Sequence, residues 1–131
     1  MVKILLVSHG GLARAMLESA EMICGAQQDV QVLGLFPGES PDTLKEAVTN
    51  VLEQWRGQDV LVLTDIRSGT PFNTVVSLMQ AYPFRHVSGV NLALLAEALT
   101  DRDGMCAEEV ADELVAVGSQ TILDVNRLME E

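Results

Sequence analysis

The fold is decided by the stretch VKILLVSHG, residues 2–10. Its apolar run predicts a buried strand, and the polar Ser8-His9-Gly10 at its end leads into a segment with helical spacing. The carboxyl end of a first strand is where open parallel α/β sheets place their functional groups. An imidazole can accept and release a group near neutral pH. A single histidine in a strand-to-helix turn can also have a purely structural role.

Outward from this stretch, the chain alternates strand-like and helix-like segments. Predicted strands cover 2–8, 30–36, 59–65 and 85–90, and predicted helices cover 11–24, 41–56, 71–81, 92–100 and 107–117. This alternation indicates βαβ units and a parallel sheet. The predicted fold is therefore α/β, a doubly wound three-layer sandwich of four parallel strands in one domain, residues 1–131. A late β-rich segment, 120–125, predicts an additional C-terminal antiparallel edge strand, followed by a charged tail at 126–131.

The composition excludes several classes of function. The net charge is −11, from 8 basic and 19 acidic residues, so the basic footprint of nucleic-acid-binding proteins is absent. An acidic surface is compatible with a basic protein partner. Cys24 and Cys106 lack C-x-x-C spacing and are predicted to be free thiols in a reducing cytosol, with no metal site. No apolar run approaches the roughly 20 residues that span a bilayer, and no signal peptide is expected.

Two polar residues at predicted strand ends carry the first chemical hypothesis. His9 and Asp65 follow strands one and three, whose ends can be neighbours in a right-handed doubly wound sheet. A carboxylate that accepts the Nδ1 proton fixes the imidazole tautomer and leaves Nε2 as a nucleophile. Asp65 could also be an ordinary turn or cap residue, and these two residues alone leave both interpretations open.

The loop after Asp65 favours the chemical interpretation. Residues 67–73, RSGTPFN, combine a glycine, two hydroxyls and a predicted helix start. Backbone N–H groups and the helix dipole at such a place suit a phosphate. The loop lacks the G-x-x-x-x-G-K-[ST] spacing and the lysine of ATP-binding loops, so no nucleotide cofactor is predicted. A phosphate held covalently on His9 fits the pattern better, although the loop by itself could be an ordinary turn and helix cap.

The chain also resembles, over nearly its whole length, the mannose-class IIA phosphocarrier domains of the bacterial phosphoenolpyruvate:sugar phosphotransferase system. Four matches occur in the same order as in that family. The first is Ser8-His9-Gly10. The second covers the first helix and the next strand-to-helix turn, and comprises Ala20-Glu21-Met22-Ile23, Gly25, Phe36-Pro37-Gly38-Glu39 and Thr43-Leu44. The third is the loop from Asp65 to Asn73, similar to D-x-x-G-G-S-P-x-N, and the fourth is Gly89-Val90-Asn91-Leu92, similar to G-V-N-[IL]. Each match alone would carry little weight, whereas the ordered set is specific.

The resemblance implies a role for each site residue. His9 would take a phosphoryl group on Nε2 from phosphohistidine on the carrier protein HPr and pass it to a histidine on a IIB domain for sugar uptake. Asp65 would orient His9, and Thr70, where the family usually has serine, would bond the phosphate through its hydroxyl. From the loop residues themselves we also expect Arg67, Ser68 and Gly69 to bind the phosphate. The family further implies a cytoplasmic homodimer in which the C-terminal strand, here 120–125, can be exchanged. Contact with the membrane would be indirect, through IIC and IID subunits, and the IIB domain is expected on a separate chain.

Three positions depart from the family pattern. Arg67 stands where an apolar or aromatic residue is usual, Ser68 replaces the first glycine of the loop, and Ala93 replaces a common proline. Arg67 could add a cation at the phosphate or could face solvent or a partner. Ser68 narrows the backbone freedom of the loop.

Two other functions stay open at this point. One is a regulatory module, in which phosphorylated His9 would control binding to a sensor without a role in transport. The other is a histidine phosphatase for small phosphoesters, which would need an arginine beside His9 that the sequence does not show. The second histidine, His86, has no acidic neighbour in sequence and is interpreted as structural.

Overall fold

The computed structural model describes residues 1–130, and its centre is a four-stranded parallel sheet. The strands are β1, Lys3–His9; β2, Val30–Leu35; β3, Val60–Thr64; and β4, Arg85–Ser88. Their order across the sheet is β2-β1-β3-β4, and every neighbouring pair is parallel. The predicted α/β fold is therefore confirmed, with each strand boundary within two residues of its predicted position.

Helices cover both faces of the sheet. They are α1, Leu12–Cys24; α2, Pro41–Gln54; α3, Thr70–Leu78; α4, Leu92–Asp101; α5, Ala107–Val117; and a short C-terminal α6, Val125–Glu130. Ile4 and Leu6 of β1 pack into one core with α1, α4 and α5, while Leu5 and Val7 pack into a second core with α2 and α3. This is the predicted doubly wound, three-layer arrangement.

Burial on two faces explains why the inner strands are continuously apolar. All five residues of β3 are buried, and so are Ile4 to Ser8 of β1. Full burial of a Val or Leu side chain stabilises a fold by about 1.5–3 kcal/mol, so these two strands hold the layers together. β2 is an edge strand and is only half-buried. The rigid centre of the sheet, β1 and β3, is therefore also the part that presents the predicted site.

Helix starts at the carboxyl edge of the sheet are capped by side chains in the expected way. Ser40 Oγ accepts the N–H of Asp42 at 3.1 Å, and Pro41 is the first residue of α2. Asn91 Oδ1 accepts the N–H of Leu94 at 2.8 Å at the start of α4. Such caps satisfy backbone donors that a helix leaves unpaired. They define where the chain turns from strand to helix at this edge.

The predicted strand at 120–125 is wrong for the single chain. Residues Gly118–Thr121 form a 3-10 turn, and the predicted tail instead forms α6 up to residue 130, while residue 131 lies outside the described residues. The Thr121 hydroxyl donates to the Gly118 carbonyl at 2.7 Å and accepts from Asn91 Nδ2 at 2.9 Å, which holds the turn against the start of α4. Within residues 1–130 the segment after this turn therefore pairs with no strand.

None of the helices in residues 1–130 combines the length and the apolar character needed to cross a membrane.

Candidate functional site

The strand register brings His9 and Asp65 together. Val7 of β1 pairs with Thr64 of β3, so both strands reach the carboxyl edge of the sheet side by side. His9 Nδ1 lies 2.8 Å from Asp65 Oδ2. The two side chains differ in accessibility, because that of His9 is 51% exposed and that of Asp65 only 8%. The Nδ1 edge of the imidazole is thus bound to a buried carboxylate, while about half of the His9 side chain remains exposed to solvent.

Three contacts define the Asp65 carboxylate. Its Oδ2 accepts the backbone N–H of His9 at 2.8 Å and faces His9 Nδ1, while its Oδ1 accepts the backbone N–H of Ile66 at 2.9 Å. Burial alone would raise the pKa of Asp65, but the hydrogen bonds from the backbone and ring of His9 and from Ile66 outweigh it and lower the pKa. Asp65 is therefore ionised at neutral pH and accepts a hydrogen bond from Nδ1–H, which in the neutral imidazole leaves the Nε2 lone pair free.

Gly69 lies directly against the His9 ring. A β-carbon at this position would come within 2.7 Å of His9 Cε1 and 3.3 Å of Nε2. The backbone of Gly69 has φ −84° and ψ 173°, a conformation open to any residue, so space and not backbone conformation requires glycine here. Gly69 is also the N-cap of α3. The unpaired N–H groups at the start of α3, and the positive end of its dipole, therefore lie close to Nε2.

Ser68 adopts a backbone conformation that glycine favours. Its φ is 67°, in the left-handed region, where a non-glycine residue is strained. The sequence predicts reduced freedom at this position because Ser68 replaces a glycine of the family loop. The structure shows that the loop keeps the glycine-type turn and that Ser68 adopts it, with its side chain exposed.

The remaining predicted phosphate-binding residues belong to the same loop. Thr70 is the first residue of α3 and is half-buried, and Pro71 follows it as a buried residue of the first turn. Arg67 is exposed and forms no ion pair or hydrogen bond with residues 1–130. Of this loop, Gly69 is the residue in contact with the His9 ring. The binding of a phosphate by Arg67, Ser68, Gly69 and Thr70 stays a prediction.

Two further residues support the site and were not predicted to do so. Ser8 is buried, and its hydroxyl accepts the N–H of Ala13 at 2.8 Å, which caps α1 across the His9 turn. A β-carbon on Gly34 of β2 would collide with the carbonyl oxygen of Gly10, whose N–H donates to Leu35 O at 2.7 Å. A glycine inside a strand pattern is the sequence signal for such a close backbone approach.

Three exposed apolar side chains lie on the turns at the carboxyl edge of the sheet, the edge that also carries His9, and we call these three residues the His9 rim. Leu12 at the start of α1, Phe36 after β2 and Ile66 after β3 are 47%, 50% and 57% exposed. Glu39 Oε1 accepts the N–H of Phe36 at 2.7 Å, which closes the turn that carries the phenyl ring. Exposed apolar residues that lie close to polar ones are typical of a protein docking site.

The chain offers no metal-binding cluster in the part that the structure describes. Groups of three or more His, Cys, Asp or Glu side chains placed to hold a metal ion are absent from residues 1–130. Cys24 is half-buried and Cys106 exposed, and both are free thiols. The groups that the structure does bring together at the site are the His9 imidazole, the Asp65 carboxylate and the start of α3.

Comparisons with known proteins agree with this geometry. A family model described as "PTS system fructose IIA component" matches residues 3–115. The fructose-specific EIIA component of Bacillus subtilis is 30% identical over 123 residues, which cover 92% of this chain and 84% of that protein. The mannose-specific EIIAB component of Escherichia coli K12 is 34% identical over 124 residues. This chain is covered to 92% in that match but spans only 37% of the length of the Escherichia coli protein.

Solved structures show the same relationship. The phosphotransferase system component EIIA from Streptococcus agalactiae superimposes with a TM-score of 0.90 at 30% identity, over 97% of this chain and 99% of that one. The mannose/sorbose-specific IIA subunit from Enterococcus faecalis superimposes with a TM-score of 0.86 at 30% identity, over 92% of each chain. With the fold, the paired strand ends and these matches in agreement, the chain belongs to the mannose-class IIA components of the sugar phosphotransferase system.

Proposed function

We propose that this chain is a phosphohistidine carrier, in which His9 accepts a phosphoryl group from phosphohistidine on HPr and passes it to a histidine on a IIB domain for sugar uptake. One observation carries the proposal. His9 Nδ1 is bound to Asp65 at 2.8 Å, so the exposed Nε2 is the atom left to react, and Nε2 lies beside Gly69 at the start of α3. The proposal assigns Asp65 as the orienting group and Nε2 as the phosphorylated atom.

The transfer of the phosphoryl group needs no separate acid or base. The Nε2 lone pair attacks the phosphorus, the N–P bond of the donor phosphohistidine breaks, and its electron pair returns to the donor imidazole. The ring of His9 then carries the phosphoryl group on Nε2 and its proton on Nδ1, so it is cationic, and the ionised Asp65 stabilises this state. In the second transfer His9 is the donor. The IIB histidine attacks the phosphorus, the N–P bond to Nε2 breaks, and its electron pair returns to the His9 imidazole.

Phosphoryl transfer depends mainly on positioning and on stabilisation of charge. The phosphate on Nε2 would meet the N–H groups at the start of α3, whose Gly69 lies against the ring. A helix N-terminus stabilises a nearby anion by about 0.3–1 kcal/mol, a modest amount that suits a carrier, because a carrier must also release its group. The proposal assigns the hydroxyls of Ser68 and Thr70 and the guanidinium of Arg67 as side chains that would bind this anion.

The accessibility of the site supports protein partners. The half-exposed His9 rim, Leu12, Phe36 and Ile66, offers apolar contact area to a docking protein at the edge of the sheet that carries His9. HPr as donor and a IIB domain as acceptor would use this rim in turn, each for a short time. In this scheme residues 1–131 act as one cytoplasmic domain, the membrane is reached through IIC and IID, and the protein is a homodimer.

Intact-mass measurement tests the proposal. Incubation with phosphoenolpyruvate, Enzyme I and HPr should add one phosphoryl group to the wild-type chain and none to His9→Ala. His86→Gln, which removes the other histidine, controls for the phosphorylated residue and should still gain one group when the reaction is followed to completion. Failure of the wild type to gain mass, or a gain by His9→Ala, would contradict the assignment.

A further inference from the structure

His86 in β4 lies beneath the loop that carries the site. Its Nε2 is 2.8 Å from Thr64 Oγ1, and its ring centroid is 5.2 Å from that of Phe72, with the two planes at 46°. Thr64 is the last residue of β3 and immediately precedes Asp65, while Phe72 lies in the first turn of α3. One side chain therefore contacts the residues at both ends of the loop that holds Asp65 and Gly69.

The Thr64 end of this loop is tied to β4 by main chain and side chain together. Thr64 is fully buried, and its carbonyl accepts the N–H groups of Gly89 and Val90 at 3.0 and 3.2 Å. The His86 imidazole adds the side-chain hydrogen bond on the face that packs against α3. Because Asp65 is the next residue, a displacement of Thr64 moves the carboxylate that positions His9.

The imidazole of His86 is neutral at physiological pH. Burial lowers the pKa of His86 to about 4. A neutral imidazole can exchange a hydrogen bond with the Thr64 hydroxyl in either tautomer without placing a charge inside the fold. An apolar side chain of similar size would fill the same space but would leave the buried hydroxyl without a partner, which costs free energy.

We propose that His86 is a positioning residue for the phosphoryl site, because it connects Thr64 to Phe72 and so sets where Asp65 and Gly69 lie relative to His9. The inference deepens the proposed function and rests on it for its chemical meaning. His86 touches neither the phosphoryl group nor His9 in this role, and it acts through the loop. This extends the sequence interpretation, in which His86 is structural, to a specific effect on the geometry of the site.

Amide hydrogen exchange of the unphosphorylated protein tests the positioning role. The backbone N–H groups of His9 and Ile66 both donate to the Asp65 carboxylate and therefore report its position. In His86→Phe, which keeps the ring contact with Phe72 but removes the bond to Thr64, these two amides should exchange about five- to tenfold faster. The amides of Arg102 and Val110, in helices on the other face of the sheet, should keep their rates.

Two further variants keep the test decisive. His86→Gln can place an amide near the position of Nε2 and should restore most of the lost protection. Thr64→Val removes the partner hydroxyl with little change of shape and should accelerate the same two amides. In the double variant His86→Phe/Thr64→Val the effect should not exceed that of either single change, because both remove one interaction.

The inference would be overturned by equal acceleration of all amides, by unchanged rates at His9 and Ile66 in Thr64→Val, or by failure of His86→Gln to restore protection. This measurement does not involve HPr, so it is separable from the phosphorylation test. If the wild type gains no phosphoryl group while the exchange pattern is as expected, the proposed function fails and the positioning role stands. The initial rate of phosphoryl gain in His86→Phe, relative to His86→Gln, then measures the functional consequence.

Discussion

At the scale of single residues, the site depends on a carboxylate that is stabilised in its ionised form. Three hydrogen bonds lower the pKa of Asp65 in the folded protein, although burial opposes them. A carboxyl whose folded pKa lies below its unfolded value stabilises the fold above the unfolded pKa and loses that contribution as the pH falls through the folded pKa. Asp65 is therefore a source of acid-sensitive stability as well as an orienting group.

The first prediction follows from the lowered pKa of Asp65 in the folded protein. The difference in the free energy of unfolding between the wild type and Asp65→Asn should be constant near neutral pH and should shrink as the pH falls below about 3.9, the unfolded value of an aspartate. Urea denaturation at several pH values measures it. Asp112→Asn, at an exposed position of α5, is the control with the same change of charge. A difference that stays constant into strong acid would contradict the assigned ionisation of Asp65.

The second prediction concerns the space beside His9. In Gly69→Ala the added β-carbon would meet His9 Cε1 at 2.7 Å, so the ring or the loop must move. Because a displacement of this size at a reacting centre can cost about 10²-fold, we expect the initial rate of phosphoryl gain from phospho-HPr to fall at least tenfold. Stability should change little, since the backbone at this position suits alanine.

Gly104→Ala is the matched control for this substitution. A β-carbon on Gly104 meets no atom within 4 Å. It should leave the rate of phosphoryl gain unchanged, whereas an equal loss in both variants, or no loss in Gly69→Ala, would show that the close approach to His9 has no kinetic consequence.

The sequence predicts the pair of His9 and Asp65 because the rule behind it is simple. Parallel strands end at the same edge of a sheet, so polar residues that close neighbouring strands must meet there. The close approach of Gly34 to Gly10 and the contact of His86 with Thr64 lack such a rule. They join residues that are 24 and 22 positions apart, and only the packed strand register reveals which atoms face each other.

At the scale of elements, the inner strands were predictable and the C-terminal segment was not. A short, continuously apolar run such as that of β3 predicts a central strand that is buried on both faces of a sheet. Residues 120–125 are β-rich in composition, but strand propensity describes how a side chain fits a pleated, half-buried surface and depends on an available partner edge. In the single chain Gly118–Thr121 forms a 3-10 turn, and among residues 1–130 the segment after it pairs with no strand of the sheet.

The third prediction concerns Arg102, which joins three elements through its guanidinium. This side chain is buried at the end of α4 and donates to the carbonyls of Val2, Gln28 and Asp29 and to Gln27 Oε1. Asp29 has a φ of 59°, so Arg102 also secures a strained turn before β2. Arg102→Met should lower the free energy of unfolding by about 2–4 kcal/mol, because four acceptors lose their donor.

Urea denaturation of Arg102→Met and Arg102→Lys checks this prediction. The lysine ammonium cannot reproduce the planar fork of donors, so Arg102→Lys should recover only part of the lost stability. Arg14→Met, at an exposed position of α1, is the control for loss of an arginine and should change stability by less than about 0.5 kcal/mol. Comparable effects of Arg14→Met and Arg102→Met would show that the buried network contributes nothing specific.

At the scale of the whole molecule, two separate surfaces have the properties of protein interfaces. The chain carries a net charge of −11, yet Arg67 stands unpaired in the loop beside His9 among residues 1–130. In the proposed function, this local cation would meet either the phosphate or an acidic group of a partner. Exposed apolar side chains include those of the His9 rim and a run of residues at the C-terminus.

The C-terminal apolar surface leads to the fourth prediction. Ile122, Leu123, Val125, Leu128 and Met129 are between 55% and 78% exposed in the single chain. A contiguous exposed apolar segment of this kind is typical of an interface, and a second copy of the chain, as proposed above, would cover it. We therefore expect the wild type to be a dimer in analytical ultracentrifugation. Leu123→Asp should raise the dimer dissociation constant at least tenfold, the effect of losing about 1.4 kcal/mol.

Asn50→Asp is the control for the added negative charge, because Asn50 is exposed on α2, and it should leave the dimer intact. Phosphoryl gain separates the two apolar surfaces, because monomeric Leu123→Asp should still accept a group on His9 if the rim and the His9–Asp65 pair belong to one chain. A monomeric wild type at the highest soluble concentration, or a Leu123→Asp variant as dimeric as the wild type, would contradict the interface. Loss of phosphoryl gain on dissociation would instead show that a second copy completes the site, which the contacts of His9 within one chain do not require.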